Sequence, residues 1–446
     1  MRKVILIAFY FNQVNEIASK RLRALAKHLP QFGWEPIVIV PDLGFIPKEN
    51  ADLDCRIIYT EYEDMFSHFT NKFKGNSNNS KDKENESTNL KESEDDKLKD
   101  STSYSNPIAS KAVSLAGEVF AYPDGMKYWH ESAFEAASRI IEEEEIEAII
   151  SSSWPITCHT IAKDLKDKHD LFWIADLRDL WNMNPYVSHT FIRQYFERKL
   201  ELKTFEKTDV LTTTTDLAAD TLATLHPKSK IVPILSGYDE DDLSYLEELM
   251  LKDDSGHLID SHDKLKFIYA GSLYGGKRDP SNLFNAIRQL EDENKLDSSK
   301  LSIEFYGDST NLKEIAEKYG LLDIVDIGGK ISHEEVLKKQ LESDVLLLIS
   351  WDNEKEKMFI PGKIYEYFAL KKPVLSIGYK EGSLKDLIEE TNVGYHVSDL
   401  ESTKEVILKF YNEFLEKGTI EYDADVNIED YSMKNMAKKF ANLLNG

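Results

Sequence analysis

Leu265-Lys266-Phe267-Ile268-Tyr269 runs directly into Ala270-Gly271-Ser272-Leu273-Tyr274-Gly275-Gly276-Lys277-Arg278. The first five residues are a short apolar run of the kind that forms a strand, and the glycines that follow mark a loop. The same rhythm of apolar run and helical stretch continues through Leu301–Tyr306, Ile324–Ile327, Val345–Ile349 and Pro373–Ile377. Strands alternating with helices are the signature of βαβ units, and so of a parallel sheet.

An earlier series has the same form. Val4–Phe9 is nearly continuously apolar, as a strand covered on both faces must be. Ile17, Leu22, Leu25, Ala26 and Leu29 then recur at helical spacing, with Gly33 to end the element. Further strands are read at Pro36–Val40, Arg56–Tyr59, Ala148–Ile150, Phe172–Ala175 and Val210–Thr212. A chain of 446 residues exceeds one ordinary core. The expected fold is therefore α/β, with two Rossmann-like domains facing each other across a cleft at the carboxyl ends of their sheets, where such folds bind ligands. The boundaries read as 1–240 for the first domain, 241–264 for a polar connection, 265–428 for the second, and 429–446 for a C-terminal helix able to pack back on the first.

Residues 75–104 break the rhythm. They are Asn, Ser, Lys, Glu and Asp with almost no apolar side chain, too few to offset the entropy of ordering, and read as a disordered insertion in a surface loop. The net charge of −25 argues against nucleic acid as a partner. Cys55 and Cys158 show no metal or redox spacing, the histidines form no HExxH or Cys/His cluster, and no G-x-S-x-G elbow occurs. No apolar run approaches the roughly 20 residues needed to cross a bilayer, so the expected location is cytoplasmic, with peripheral contact at the inner face of the membrane. Two segments are candidates for that contact: the helix 17–29, with Lys20, Arg21, Arg23 and Lys27, and the apolar stretch 108–120.

Four segments carry chemistry. In the opening loop, Gly271 and Ser272 bring backbone close to a ligand, and Lys277 and Arg278 neutralise a diphosphate. Pro361-Gly362-Lys363-Ile364 starts a helix whose free N–H groups attract phosphate, and Glu366, one turn in, suits paired ribose hydroxyls. Ile231–Asp239 contains the turn Pro233-Ile234-Leu235-Ser236-Gly237-Tyr238-Asp239. Ile174-Ala175-Asp176-Leu177-Arg178-Asp179 ends a buried strand in charges, costly unless they pair or bind something. Ser153 after the neighbouring strand, and Ser19 and Arg21 on the first helix, border the same end. Asp239–Asp242 reads as the solvated start of a helix, where carboxylates are favoured.

These segments resemble family 4 glycosyltransferases of the GT-B fold. Glu366 matches the second glutamate of that family's paired-glutamate signature, and the first falls at Met358. The turn at Ser236-Gly237-Tyr238-Asp239 is similar to the family's P-N-G-x-D, with Ser236 in place of Asn. The resemblance implies a retaining glycosyltransferase with a nucleoside-diphosphate sugar as co-substrate, no resident cofactor and no metal. Gly271, Ser272, Lys277, Arg278, Pro361, Gly362, Lys363, Ile364 and Glu366 are the expected donor residues. Ser19, Arg21, Ser153, Asp176 and Asp179 are the expected residues for a glycan or lipid-linked acceptor. Arg178 and Asp179, with Lys277 and Arg278, are the expected catalytic groups. A nucleotide-sugar epimerase and a non-catalytic sugar-binding subunit are the alternatives. Deleting residues 75–104 and joining the ends with a short linker leaves the circular dichroism spectrum and basal activity unchanged; aggregation of the shortened chain would contradict the reading of this insertion.

Overall fold

The structure is a computed structural model that describes residues 1–14, 16–51, 53–64, 122–184, 186, 189–252, 263–422, 424 and 427–446. The insertion 75–104 and the stretch 108–120 lie outside the described residues. The chain divides into two units, Met1–Thr212 with Leu225–Lys230, and Thr213–Thr224 with Ile231–Gly446.

The apolar runs form strands where continuous burial demands it. The first sheet comprises β1 (Arg2–Ile7), β2 (Trp34–Pro41), β3 (Arg56–Thr60), β4 (Ile146–Ser152), β5 (Phe172–Asp176), β6 (Val210–Thr213) and β7 (Ile231–Pro233), in the order β3-β2-β1-β4-β5-β6-β7. The second comprises β8 (Leu265–Ala270), β9 (Leu301–Tyr306), β10 (Val325–Gly329), β11 (Val345–Ile349), β12 (Val374–Ile377) and β13 (Gly394–Val397), in the order β10-β9-β8-β11-β12-β13. Every pairing in the second sheet is parallel. The order reverses between β1 and β4, and between β8 and β11. A crevice opens at such a switch point, outside the carboxyl ends of the strands.

The second sheet is covered on both faces by the two-residue period of its strands. Phe267, Tyr269, Leu347 and Ile349 enter one apolar cluster, and Ile268, Ala270, Leu346 and Leu348 the other. The second cluster also takes Ile364, Tyr367 and Phe368 from the helix Lys363–Leu370. Residues 241–252, expected to belong to a polar connection, lie in the helix Glu240–Lys252, whose Leu246 is buried in that cluster. The C-terminal helix Met433–Asn445 groups with the second unit. Its entry is tied to the glycine turn: Tyr238 N–H donates to the Tyr431 carbonyl (2.9 Å) and Met433 N–H to the Tyr238 carbonyl (3.0 Å). A Cβ on Gly237 would overlap the backbone of Ser432, which explains the glycine there.

In the first unit the helix Ile17–His28 packs inward. Leu22, Ala24, Leu25 and Ala26 are buried. Arg21 is buried too, and Arg23 donates to the Phe11 and Glu49 carbonyls and to Asn50 Oδ1. Of the two fates open to this helix, membrane contact or packing on the sheet of its own unit, the apolar stripe takes the second: it builds the core, and those two guanidinium groups are engaged within the fold.

The buried charge pair of this unit joins that helix to the end of β5. Arg21 Nε and Nη2 donate to the two Asp176 oxygens at 2.9 and 3.0 Å. Ser152 and Thr212 hydroxyls donate to the same carboxylate at 2.9 and 2.8 Å. Burial pushes the Asp176 carboxyl up, but Arg21 and these hydroxyls outweigh it and hold it below the ordinary range. Removing one partner of such a pair leaves an uncompensated buried charge. Asp176→Asn therefore costs the first unit about 3–5 kcal/mol, read as a lowered thermal transition; an unchanged transition would show the pair to be energetically idle.

Candidate functional site

The densest convergence of predicted residues lies where β8 ends. Gly271 has a φ of 150°, and its N–H is held by the Tyr306 carbonyl at 2.7 Å. A Cβ here would overlap the Lys363 ammonium. Glycine is favoured by that φ, which L side chains rarely adopt, and a Cβ would also displace the end of the Lys363 side chain. The loop then closes on itself. Ser272 Oγ donates to Asp308 (3.2 Å), Tyr269 Oη to the Ser272 carbonyl (2.9 Å), and Arg278 N–H to the Leu273 carbonyl (3.1 Å).

This folding gathers cations. Lys363 Nζ lies 4.9 Å from the Tyr269 ring centroid, Lys277 Nζ lies 4.7 Å from that of Trp351, and the Arg278 guanidinium 4.4 Å from that of Tyr274. Lys363 makes no ion pair among the described residues. Burial, with Arg278 adding repulsion and Glu366 partly opposing, pushes its ammonium down to about 7. Lys363, Arg278 and the glycine loop thus bring cationic groups and bare backbone together, chemistry that suits a phosphorylated anion. Gly362 caps the helix Lys363–Leu370 next to it, and Pro361 precedes it. The Ile364 and Tyr365 N–H groups of its first turn donate to the Pro361 and Gly362 carbonyls at 3.1 and 3.2 Å, so the helix dipole rather than those two amides favours an anion here.

Glu366 has company that the sequence did not reveal. Asp242, His333 and Glu366 bring one ligand atom each to within 4.8 Å of one another, and His333 Nε2 lies 3.0 Å from Asp242 Oδ1. Two carboxylates and an imidazole suit the hydroxyls of a sugar ring, and are also a donor set able to hold a divalent cation. It is the one such group among the described residues. Asp242 does sit in the acidic first turn of its helix, but His333 starts another helix far along the chain. No spacing rule connects them. Met358, at the expected first glutamate, accepts a hydrogen bond at its carbonyl from Thr215 Oγ1 (2.7 Å) and presents no carboxylate.

In the first unit Ser153, Asp176, Arg178 and Asp179 do meet at the ends of β4 and β5. Ser153 Oγ donates to the Asp179 carbonyl (3.2 Å), and Arg178 Nη1 to the Ala18 carbonyl (2.5 Å). Four of the five expected acceptor residues have little or no surface: Ser19, Arg21, Ser153 and Asp176 are 0–3% exposed. The Ser19 hydroxyl is spent on the Glu16 carbonyl (2.9 Å), and Asp176 has its four hydrogen bonds inside the fold. These residues position others; they do not reach an acceptor. Asp179 and Arg178 are part-exposed. Burial pushes the Asp179 carboxyl up, against the pull of Arg178. Burial likewise lowers the Arg178 guanidinium, with Asp179 opposing, and its Nε has no hydrogen bond among the described residues.

No family model matches the chain, and no curated protein matches it. Solved structures do match its fold. A glycosyltransferase from Rickettsia africae ESF-5 matches with a TM-score of 0.59 at 15% identity, over 100% of this chain and 98% of that one. Anabaena HepE, solved in complex with UDP, gives 0.59 at 11%, over 100% of both chains. The sucrose-phosphate synthase of Thermosynechococcus elongatus gives 0.54 at 11%, over 100% and 95%. At these identities the likeness is one of fold, and it is the expected one: α/β, two parallel-sheet Rossmann-like units of the GT-B type.

The depressed Lys363 makes stability depend on pH in a definite direction. The unfolded lysine stays protonated up to about 10.4, whereas the folded one loses its proton near 7. The unfolded chain then binds more protons between those values, so this group's penalty is full below about 7 and fades as pH rises. Lys363→Met, which keeps the packing, raises the thermal transition most at about pH 6–7, and the gain shrinks toward pH 9. A gain that grows with pH would overturn this account.

Proposed function

We propose that the chain is a glycosyltransferase moving a sugar from a nucleoside-diphosphate donor to a hydroxyl of a glycan or lipid-linked glycan. In this reading it is a retaining hexosyltransferase of the family 4 type, serving cell-surface polysaccharide biosynthesis on the cytoplasmic side. The observation that carries it is the meeting of Arg278 and Lys363 at the Gly271 loop, with Lys277 in the same loop against Trp351 and the start of the helix Lys363–Leu370 beside them. As the sugar–phosphate bond breaks, the departing diphosphate gathers negative charge. Fixed cations and helix N–H groups stabilise that charge most where they are already in place. A lysine whose proton is lost near pH 7 takes one up when a polyanion arrives, so its positive charge is greatest with ligand bound. Glu366, with Asp242 and His333 close by, is assigned the ribose hydroxyls. Asp179, part-exposed and raised by burial, is the first unit's candidate to orient the acceptor hydroxyl.

HepE, a protein of like fold, has been solved with UDP and with UDP-glucose, which supports a uridine donor as the first to test. A second reading, a non-catalytic nucleotide-sugar-binding subunit, is favoured by Met358 where the family signature places a glutamate. Turnover by the purified chain alone separates the two. Sugar release from UDP-sugars, with and without glycan acceptors, is expected for the parent. Changing Lys277 and Arg278 together to Ala abolishes it while leaving the ligand-free melting temperature nearly unchanged. Full activity in the double variant would sink the donor-site assignment, and UDP binding without turnover on any acceptor would favour the subunit.

A further inference from the structure

The helix Phe191–Thr204 is turned inside out. Its outward side chains include Phe191 (83% exposed), Ile192 (64%), Tyr195 (50%), Phe196 (53%) and Leu202 (40%). Its inward ones include Glu197, Glu201 and Thr204, all buried. At 100° per residue the exposed apolar positions, with Arg198, Lys199 and Lys203, fall on one face about 160° wide. An ordinary surface helix has the opposite arrangement.

The inversion is held in place. Glu197 accepts from Arg193 Nε at 2.8 Å, and Arg193 Nη2 donates to the Pro123 carbonyl at 3.2 Å. Glu201 accepts from Asn182 Nδ2 at 3.0 Å, with His226 Nε2 at 3.4 Å from its other oxygen. Tyr122 Oη donates to the Phe196 carbonyl at 3.1 Å. Rolling the helix to hide its aromatic rings would break these bonds and strand two buried carboxylates.

We propose that this outward face docks on an anionic lipid bilayer. Both acids of the helix are buried, so the charges it shows are Arg198, Lys199 and Lys203 alone, in a chain of net charge −25. Lys199 Nζ lies 4.5 Å from the Tyr195 ring centroid, at the edge of the apolar patch. Aromatic and aliphatic side chains flanked by cations are the composition of a helix lying in the headgroup region. Charge also selects against a second copy of the chain. A two-fold contact through this face would set its three cations against their own copies.

The inference deepens the lipid-linked arm of the proposed function. It is tested without nucleotide or acceptor, so its failure leaves the donor-site reading standing. The full-length chain is floated with vesicles of phosphatidylcholine alone and with about 30% phosphatidylglycerol. Binding to the anionic vesicles at low salt, lost at high salt, is expected. Phe191→Ser/Ile192→Ser/Tyr195→Ser and Arg198→Glu/Lys199→Glu/Lys203→Glu should each cut the bound fraction about tenfold, with unchanged melting temperature because the altered side chains are exposed. Absence of flotation, equal binding to neutral vesicles, or parent-like binding by both variants overturns the proposal. So does a dimer that the first variant dissociates and that binds no vesicle, which would make the face a self-contact. Binding that appears only once residues 65–121 are removed overturns it as well, because the chain itself would then be the occupant.

Discussion

The candidate site of the second unit turns on one close approach, that of the Lys363 ammonium to the bare backbone of Gly271. β8 and β11 are buried on both faces, so their register is fixed by core packing and their ends cannot drift. The loop leaving β8 must then turn in whatever space the helix Lys363–Leu370 allows. A lysine in that space costs desolvation free energy, which appears as the lowered ammonium pKa. The apolar clusters on either side of the sheet support that cost. The result is a place where positive charge is disfavoured in the empty protein and favoured by an incoming anion. Surface lysines, already solvated and charged, lack that contrast.

The two carboxylates after β5 follow related logic with opposite outcomes. Asp176 and Asp179 are three residues apart, yet Asp176 is held low by Arg21, Thr212 and Ser152, while Asp179 is raised by burial with Arg178 as its main counterweight. Environments that push two acids apart in this way assign them different tasks. Asp176 is an anchor, held low and bound by Arg21, Ser152 and Thr212. Asp179 keeps some surface, and burial raises its carboxyl against the pull of Arg178.

How far these features were legible differs by residue for physical reasons. The interior strands announced themselves as apolar runs because parallel sheets are covered on both faces. β13 did not: Gly394, Tyr395 and His396 are only partly buried at the sheet edge, and no apolar run marks them. Nor did β7, three half-buried residues that read as a turn. Lys277, Arg278, Lys363 and Gly271 stood out as candidates because glycine and basic residues follow a strand end, although a plain loop with solvated lysines has the same local pattern. Ser19, Arg21, Ser153 and Asp176 were legible as polar residues at the right end of the sheet. Their burial turns them from contacts into supports; for Arg21 and Asp176 it depends on a partner 155 residues distant. The meeting of Asp242, His333 and Glu366 is likewise purely tertiary.

The helix Phe191–Thr204 shows the same limit in its sharpest form. Spacing tells which side chains share a face, and its apolar residues do share one; nothing in the spacing tells which way that face turns. Here the decision falls to Glu197 and Glu201, whose partners lie inside the unit. The arrangement also reconciles an acidic chain with an anionic surface. If the full charge of −25 were felt at a distance, the two would repel. At physiological ionic strength the screening length is about 8 Å, so a bilayer meeting this helix senses chiefly the charges on its outer face. Drawing both acids inward removes the only local negative charge the helix owns. The buried carboxylates thus set the helix's orientation and the sign of the field it presents.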